Sequence, residues 1–229
     1  MLTALESMFA AIIEDDRAKV KTLLMANVDL AAECSTDADR FESKIMHYIY
    51  VGDTALHVAA AGYRVEIAGM LLAAGADASS SKNRRGAQPL HYAADGHMQS
   101  PSWNPRQQVA TIRCLLKARA DINAQDKNGA TPLHRAVRTR CADAMKYLLE
   151  SGADPKFTNK SGSTAFHLAV QNTGRGGSGA DEARSAQREI IQEFIGRGVS
   201  PAIKDAKGKS VLEWTRSDWV RRILLDKKR

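Results

Sequence analysis

Residues 131–134 read Thr-Pro-Leu-His, two residues beyond Gly129, and the phrase returns along the chain. It stands as Thr54-Ala55-Leu56-His57 after Gly52, Gln88-Pro89-Leu90-His91 after Gly86, and Thr164-Ala165-Phe166-His167 after Gly162. A decayed copy, Ser210-Val211-Leu212-Glu213, follows Gly208. The copies lie 34, 43, 33 and 46 residues apart. Removing insertions of about 10 and about 13 residues leaves one period of about 33, the mark of a repeat architecture. A second phrase keeps the same register: Leu71-Leu72 with Gly75-Ala76-Asp77, Leu115-Leu116 with Arg119-Ala120-Asp121, Leu148-Leu149 with Gly152-Ala153-Asp154, and Phe194-Ile195 with Gly198.

Each phrase has a local physical meaning. A Thr hydroxyl caps the first turn of a helix. Pro89 and Pro132 fall in that turn, where a missing N–H costs little. Val65, Ile67 or Ala68, Leu71 and Leu72 recur at helical spacing in the second half of the unit. Gly75, Gly152 and Gly198 then permit the left-handed residue that ends a helix. One such unit cannot bury its apolar stripe alone, so neighbours must stack.

These residues resemble the ankyrin repeat, Thr-Pro-Leu-His-x-Ala followed by a Leu-rich helix and Gly-Ala-Asp. The resemblance implies an all-α ankyrin repeat solenoid of helix-turn-helix units with short β-hairpin fingers, one domain over residues 1–229. Residues 1–50 read as an N-terminal capping unit with a long first finger, its helices expected at 3–13 and 17–25. Residues 51–207 hold four repeats, and 208–229 form a C-terminal cap in which Trp214, Trp219, Ile223 and Leu224 pack on the preceding unit. With both ends capped, the chain reads as complete.

Three interruptions individualise the pattern. Between Asp29 and Gly52 lies a stretch with Phe41, Ile45, Tyr48, Ile49 and Tyr50, readable as an elongated finger or as a short helix over 37–46. Its apolar groups either cover the first repeat or form a contact surface. The second, near 96–106, brackets Trp103 between Pro101 and Pro105; Trp103 either anchors a partner or tacks the loop to the body. The third, 172–183, is Gly-rich with Arg175, a flexible linker or an anion-binding nest, and it lacks the Gly-Lys-Ser/Thr ending of a phosphate-binding loop.

The bulk composition excludes several classes. Apolar residues make up 44 % of the 229, too many for wholesale disorder. Cys34, Cys114 and Cys141 lie far apart with no paired spacing, which argues against disulfides and zinc and for a reducing, cytoplasmic setting. The N-terminus lacks a basic leader region, and no apolar run approaches the ~18 residues that span a bilayer. The four repeated histidines sit about 10 Å apart at helix packing distances, too far to share a metal at ligand distances of about 2 Å. In the resembled family this histidine bonds backbone between units. No catalytic constellation emerges, and no cofactor or metal is expected. Cys141 follows Arg138 and Arg140, which would lower its pKa, but a surface cysteine without a catalytic partner is the expectation.

Charge points to a partner. The net +7 is uneven: residues 1–50 carry 5 basic and 9 acidic side chains, residues 51–229 carry 28 and 17. In the resembled family partners lie on the concave face of fingertips and first helices. By register this places Tyr48, Tyr50, Arg84, Arg85, Lys127 and Lys160 on fingers and Ala61, Asp95, Arg138 and Gln171 on helices. Arg135 stands where the family has a small apolar residue and adds charge near the groove. The expected function is a monomeric, non-enzymatic scaffold that binds an acidic protein segment through these residues and Trp103. The alternatives are nucleic-acid binding through the basic face, and a small-ligand or enzymatic pocket beneath the two insertion loops.

Overall fold

The computed structural model describes residues 2–37, 39–96, 103–172 and 180–226. The N-terminal unit is α1 (Ala4–Ile13) and α2 (Arg17–Ala26), followed by a 3-10 turn at Val28–Ala31 and a hairpin of β1 (Arg40–Glu42) and β2 (His47–Ile49). Pairs of helices follow: α3 (Ala55–Ala61) and α4 (Val65–Ala73), α5 (Pro89–Ala94) and α6 (Pro105–Lys117), α7 (Pro132–Arg138) and α8 (Ala142–Glu150). The last pairs are α9 (Ala165–Ala169) with α10 (Asp181–Gly196) and α11 (Val211–Trp214) with α12 (Asp218–Leu225).

The pairs stack in two columns. Helices α1, α3, α5, α7, α9 and α11 pack in series on one side, and α2, α4, α6, α8, α10 and α12 on the other. Alanines make the first column tight: Ala59, Ala60, Ala93, Ala94 and Ala136 are wholly buried, so backbones approach closely. The second column supplies bulk through Ile67, Leu71, Ile112, Leu115, Met145, Leu148, Ile190 and Phe194. Each such side chain contributes about 1.5–3 kcal/mol by leaving water. At the C-terminal end Trp214 lies edge-on to His167 with ring centroids 5.4 Å apart, and Leu224 is buried.

The repeated histidine ties units together. His57 Nδ1 accepts the Thr54 N–H at 3.1 Å, and its Nε2 reaches the Ala87 carbonyl of the next unit at 3.0 Å. His91, His134 and His167 repeat the bond to Ala130, Ser163 and Lys209 carbonyls at 3.0, 3.1 and 3.2 Å. This network assigns each ring the Nε2–H tautomer and leaves Nδ1 no room for a proton. Burial, above all, lowers His57 and His91 to about 4.

The insertions create a problem that two glutamines solve. In uninterrupted units a left-handed residue, Asp15, Tyr63 or Arg140, turns the chain between helices. The next N–H then closes the first helix: Asp16 to Ala11, Arg64 to Ala59, Cys141 to Ala136. Among the described residues, the units interrupted by a loop show no such N–H. There Gln108 Nε2 donates to Ala93 O at 3.1 Å, and Gln187 Nε2 to Ala169 O at 2.7 Å. Both glutamines are buried and stand seven residues before the equivalent Leu115 and Phe194.

Some expectations change. The segment over 37–46 forms a hairpin arm rather than a helix. Its apolar groups divide by face, since Ile45 and Ile49 are buried while Phe41 and Tyr48 are exposed. Cys141 is a buried cysteine, not a surface one: its Sγ packs so closely under Gly96 that a Cβ there would lie 1.9 Å away. Desolvation pushes its thiol up to about 11, and neighbouring arginines do not lower it. The Arg140 guanidinium instead donates to the Ala169 and Gln171 carbonyls at 3.0 and 2.7 Å. Arg175 and the Gly-rich run 173–179 lie outside the described residues, as do Pro101 and 227–229.

Candidate protein-binding surface

Each later finger is built around one Asx side chain. Asp126 Oδ1 accepts from Asn128 N and Ala130 N at 2.7 and 3.0 Å, and Asn159 Oδ1 from Ser161 N and Ser163 N at 2.9 and 3.1 Å. Asn83 and Asp205 do the same in their units. The glycine three residues on takes a positive φ in every case. Such turns leave the two intervening residues pointing out. Arg84, Lys127 and Lys160 therefore share one exposed slot on successive fingers.

The first finger differs. Phe41 pairs with Tyr48 across the hairpin, their rings 5.2 Å apart and each 49 % exposed. Tyr48 stacks on Tyr50 at 5.9 Å. Arg84 and Arg85 lie over the Tyr50 ring at 5.5 and 5.6 Å, within cation–π range. Arg84 also pairs with Asp39 at 2.8 Å. Phe41, Tyr48, Tyr50, Arg85 and Arg138 border a cavity of about 300 Å³.

A buried polar network forms its floor. The His47 ring lies 4.3 Å from Tyr92, whose hydroxyl donates to Asp53 Oδ1 at 2.8 Å. Asn83 Nδ2 and Tyr50 N also donate to Asp53, at 2.9 and 2.7 Å. Burial pushes the Asp53 carboxyl up to about 6, against the pull of these hydrogen bonds. Beside it, Arg135 Nη1 reaches Asp95 at 3.0 Å and its Nη2 reaches Asp126 at 2.6 Å. Arg138 Nη2 closes on Asp95 from the solvent side at 3.1 Å. Burial would raise Asp95, but Arg135 and Arg138 together hold it below the usual carboxylate range.

Histidine-linked helix pairs and Asx-built fingers thus repeat with a period of about 33 residues. A family model described as ankyrin repeats (3 copies) matches residues 7–100 and 104–179.

The chain belongs to the ankyrin repeat family.

Ankyrin repeats are generally protein–protein interaction modules. No curated protein matches the chain. Beyond residue 179 the stacking of helices continues, with α10 against α8 and α9, α11 against α9, and α12 against α10. No helix among the described residues is long and apolar enough to cross a membrane.

On this ankyrin scaffold the expected contact residues separate into three groups. Tyr48, Arg84, Lys127, Arg138 and Lys160 are exposed, with Tyr50 and Arg85 half-buried beside them. Trp103 does not border the cavity; it is half-buried against the core, and its Nε1 donates to Gln108 Oε1 at 3.2 Å. Arg135 requires correction: its side chain is 11 % exposed between two buried carboxylates, so its charge is neutralised inside the stack. Ala61 and Asp95 are likewise buried rather than outward. The sequence reading passed over His47, Asp53 and Tyr92. The available signal was Tyr92 in the slot that holds Val58, Arg135 and Leu168 in the other units, a position directly after the histidine that differs in all four.

Proposed function

We propose that this ankyrin repeat protein is a non-enzymatic binding module that takes an acidic protein segment along its concave groove. The observation that carries this reading is the sequence of side chains along the fingers. Exposed Phe41 and Tyr48 lead to Arg84, Arg85 and Arg138, and then to Lys127 and Lys160 on the next two tips. Among the described residues neither lysine has an ion-pair partner. Arginine forks suit carboxylates, and opposite charge steers encounter. An apolar rim beside cations supplies affinity and direction together.

The test is affinity capture from the native cell, with wild type compared against Lys127→Glu/Lys160→Glu and against Tyr48→Ala. These positions are exposed, so the variants should fold as wild type does. Partners that depend on the groove disappear from both variants. Equal recovery on all three baits would overturn the assignment. Nucleic-acid binding is the competing use of the positive balance over 51–229. A steep salt dependence for oligonucleotide binding would favour it.

A further inference from the structure

Successive fingers are joined backbone to backbone. Lys127 N donates to Arg85 O at 2.9 Å, Lys160 N to Asn128 O at 2.8 Å, and Ala206 N to Gly162 O at 3.2 Å. The tips therefore advance with the helices stacked behind them, by about 8–10 Å per unit. Lys127 and Lys160 leave two such tips from the same slot, on turns held alike by Asp126 and Asn159. Lys207, exposed on the following finger, stands one position further on. One unit earlier the slot belongs to Arg84, which is engaged by Asp39 and Tyr50. There the surface changes from free charge to the aromatic cavity beside Tyr48.

A bound chain must place one side chain per pitch on one face. In a β-strand three residues cover about 10 Å, but side chains alternate, so positions i and i+3 point opposite ways. An α-helix returns to one face at i+7, about 10.5 Å on, and must order seven residues for each contact. A polyproline II chain turns once in three residues at about 3.1 Å each, which returns every third side chain to one face after about 9.3 Å. That repeat fits the finger pitch with the fewest ordered residues. Exposed Phe41 and Tyr48 suit such a chain, because aromatic-lined grooves receive polyproline II segments.

We propose that the ligand of this groove is an acidic segment in the polyproline II conformation with a carboxylate at every third residue. One carboxylate meets Lys127 and the next meets Lys160. An apolar side chain three residues from the Lys127 contact enters the cavity between Tyr48 and Arg138. The proposal rests on the acidic-segment reading above and adds spacing and conformation to it.

Fluorescence anisotropy with labelled peptides of equal composition tests it. The matched peptides carry Phe, Glu and Glu at three-residue intervals with Pro and Ala between, in both chain directions. The comparators place Glu at every second residue, or seven apart among helix-forming spacers. The better matched peptide is expected to bind at least about fivefold more tightly than either comparator. Lys160→Glu should weaken it by about two- to fivefold, in the range of an exposed ion pair. Changing the peptide's terminal Glu to Lys should restore binding to the Lys160→Glu protein and not to Lys127→Glu. Equal binding at all spacings, tightest binding of the seven-residue spacing, or rescue without register would overturn the proposal while leaving the acidic reading standing. If none of the acidic peptides binds, both fall.

Discussion

Replacing Arg135 by Leu removes a guanidinium that lies between two carboxylates. Side-chain exposure is 11 % for Arg135, 8 % for Asp95 and 1 % for Asp126. Breaking a buried pair by deleting one partner costs about 3–5 kcal/mol, because the other charge stays dry and uncompensated. Two contacts survive here and place the effect near the lower end. Arg138 still reaches Asp95 at 3.1 Å, and Asp126 Oδ1 keeps two backbone N–H donors. About 3 kcal/mol corresponds to a Tm lower by about 6–12 °C for a chain of this size. The neighbouring unit supplies a repair, since it carries Leu168 and Asn159 where this one has Arg135 and Asp126. The double variant Arg135→Leu/Asp126→Asn should therefore regain most of the loss. Urea melts followed by far-UV circular dichroism measure both. In the single variant the stranded carboxylates bind protons more readily, so its deficit should narrow as pH falls from 7 to 5. A deficit under about 1 kcal/mol at pH 7, or one that widens in acid, would refute the buried-triad account.

The histidine column makes the stack acid-sensitive. Folded His57 and His91 titrate near 4 against 6.5 when unfolded, so the unfolded chain binds protons first as pH falls. Stability is full above about 6.5, drops toward 4 by up to about 1.4 kcal/mol per unit for each ring, and levels below that. Asp53, raised to about 6, works the other way between 6 and 3.8 and offsets part of the slope. Urea midpoints at pH 7.5, 6 and 5 should fall in that order; a rise would contradict the assigned tautomers. Arg119 holds a φ of +64°, where three other units have glycine. Arg119→Gly should raise stability by up to about 1 kcal/mol in a thermal melt. Gln108→Leu removes the donor that closes α5 and should cost about 1–3 kcal/mol, while the equivalent change at exposed Gln107 should cost little. Cys141 should resist a thiol reagent in the native state and react on unfolding, with half-buried Cys34 and Cys114 reacting first.

Parts of the candidate surface were legible because they repeat. Lys127 and Lys160 follow from counting one residue onward from the Asx slot, and their solvation needs no neighbour to explain it. Arg135 was not legible. Its charge suggests a surface position, and only the stack brings Asp95 from the preceding unit and Asp126 from its own finger to surround it. Cys141 misled for the same reason: nearby arginines in sequence point elsewhere in space, and Gly96 closes over the sulfur.

The sequence by itself determined the unit. Capping threonines, alanine-lined first helices, Leu-rich second helices and glycine turns are local preferences, and their 33-residue recurrence forces stacking because no unit can bury its own stripe. Tertiary structure alone decided which charges remain available. An ionisable side chain's role depends on what faces it across a unit boundary, and Asp53–Tyr92, Asp95–Arg135 and Arg84–Asp39 each cross such a boundary. Residues 39 to 45 apart meet there at hydrogen-bond distance, and no local pattern in the chain encodes which of them will be paired.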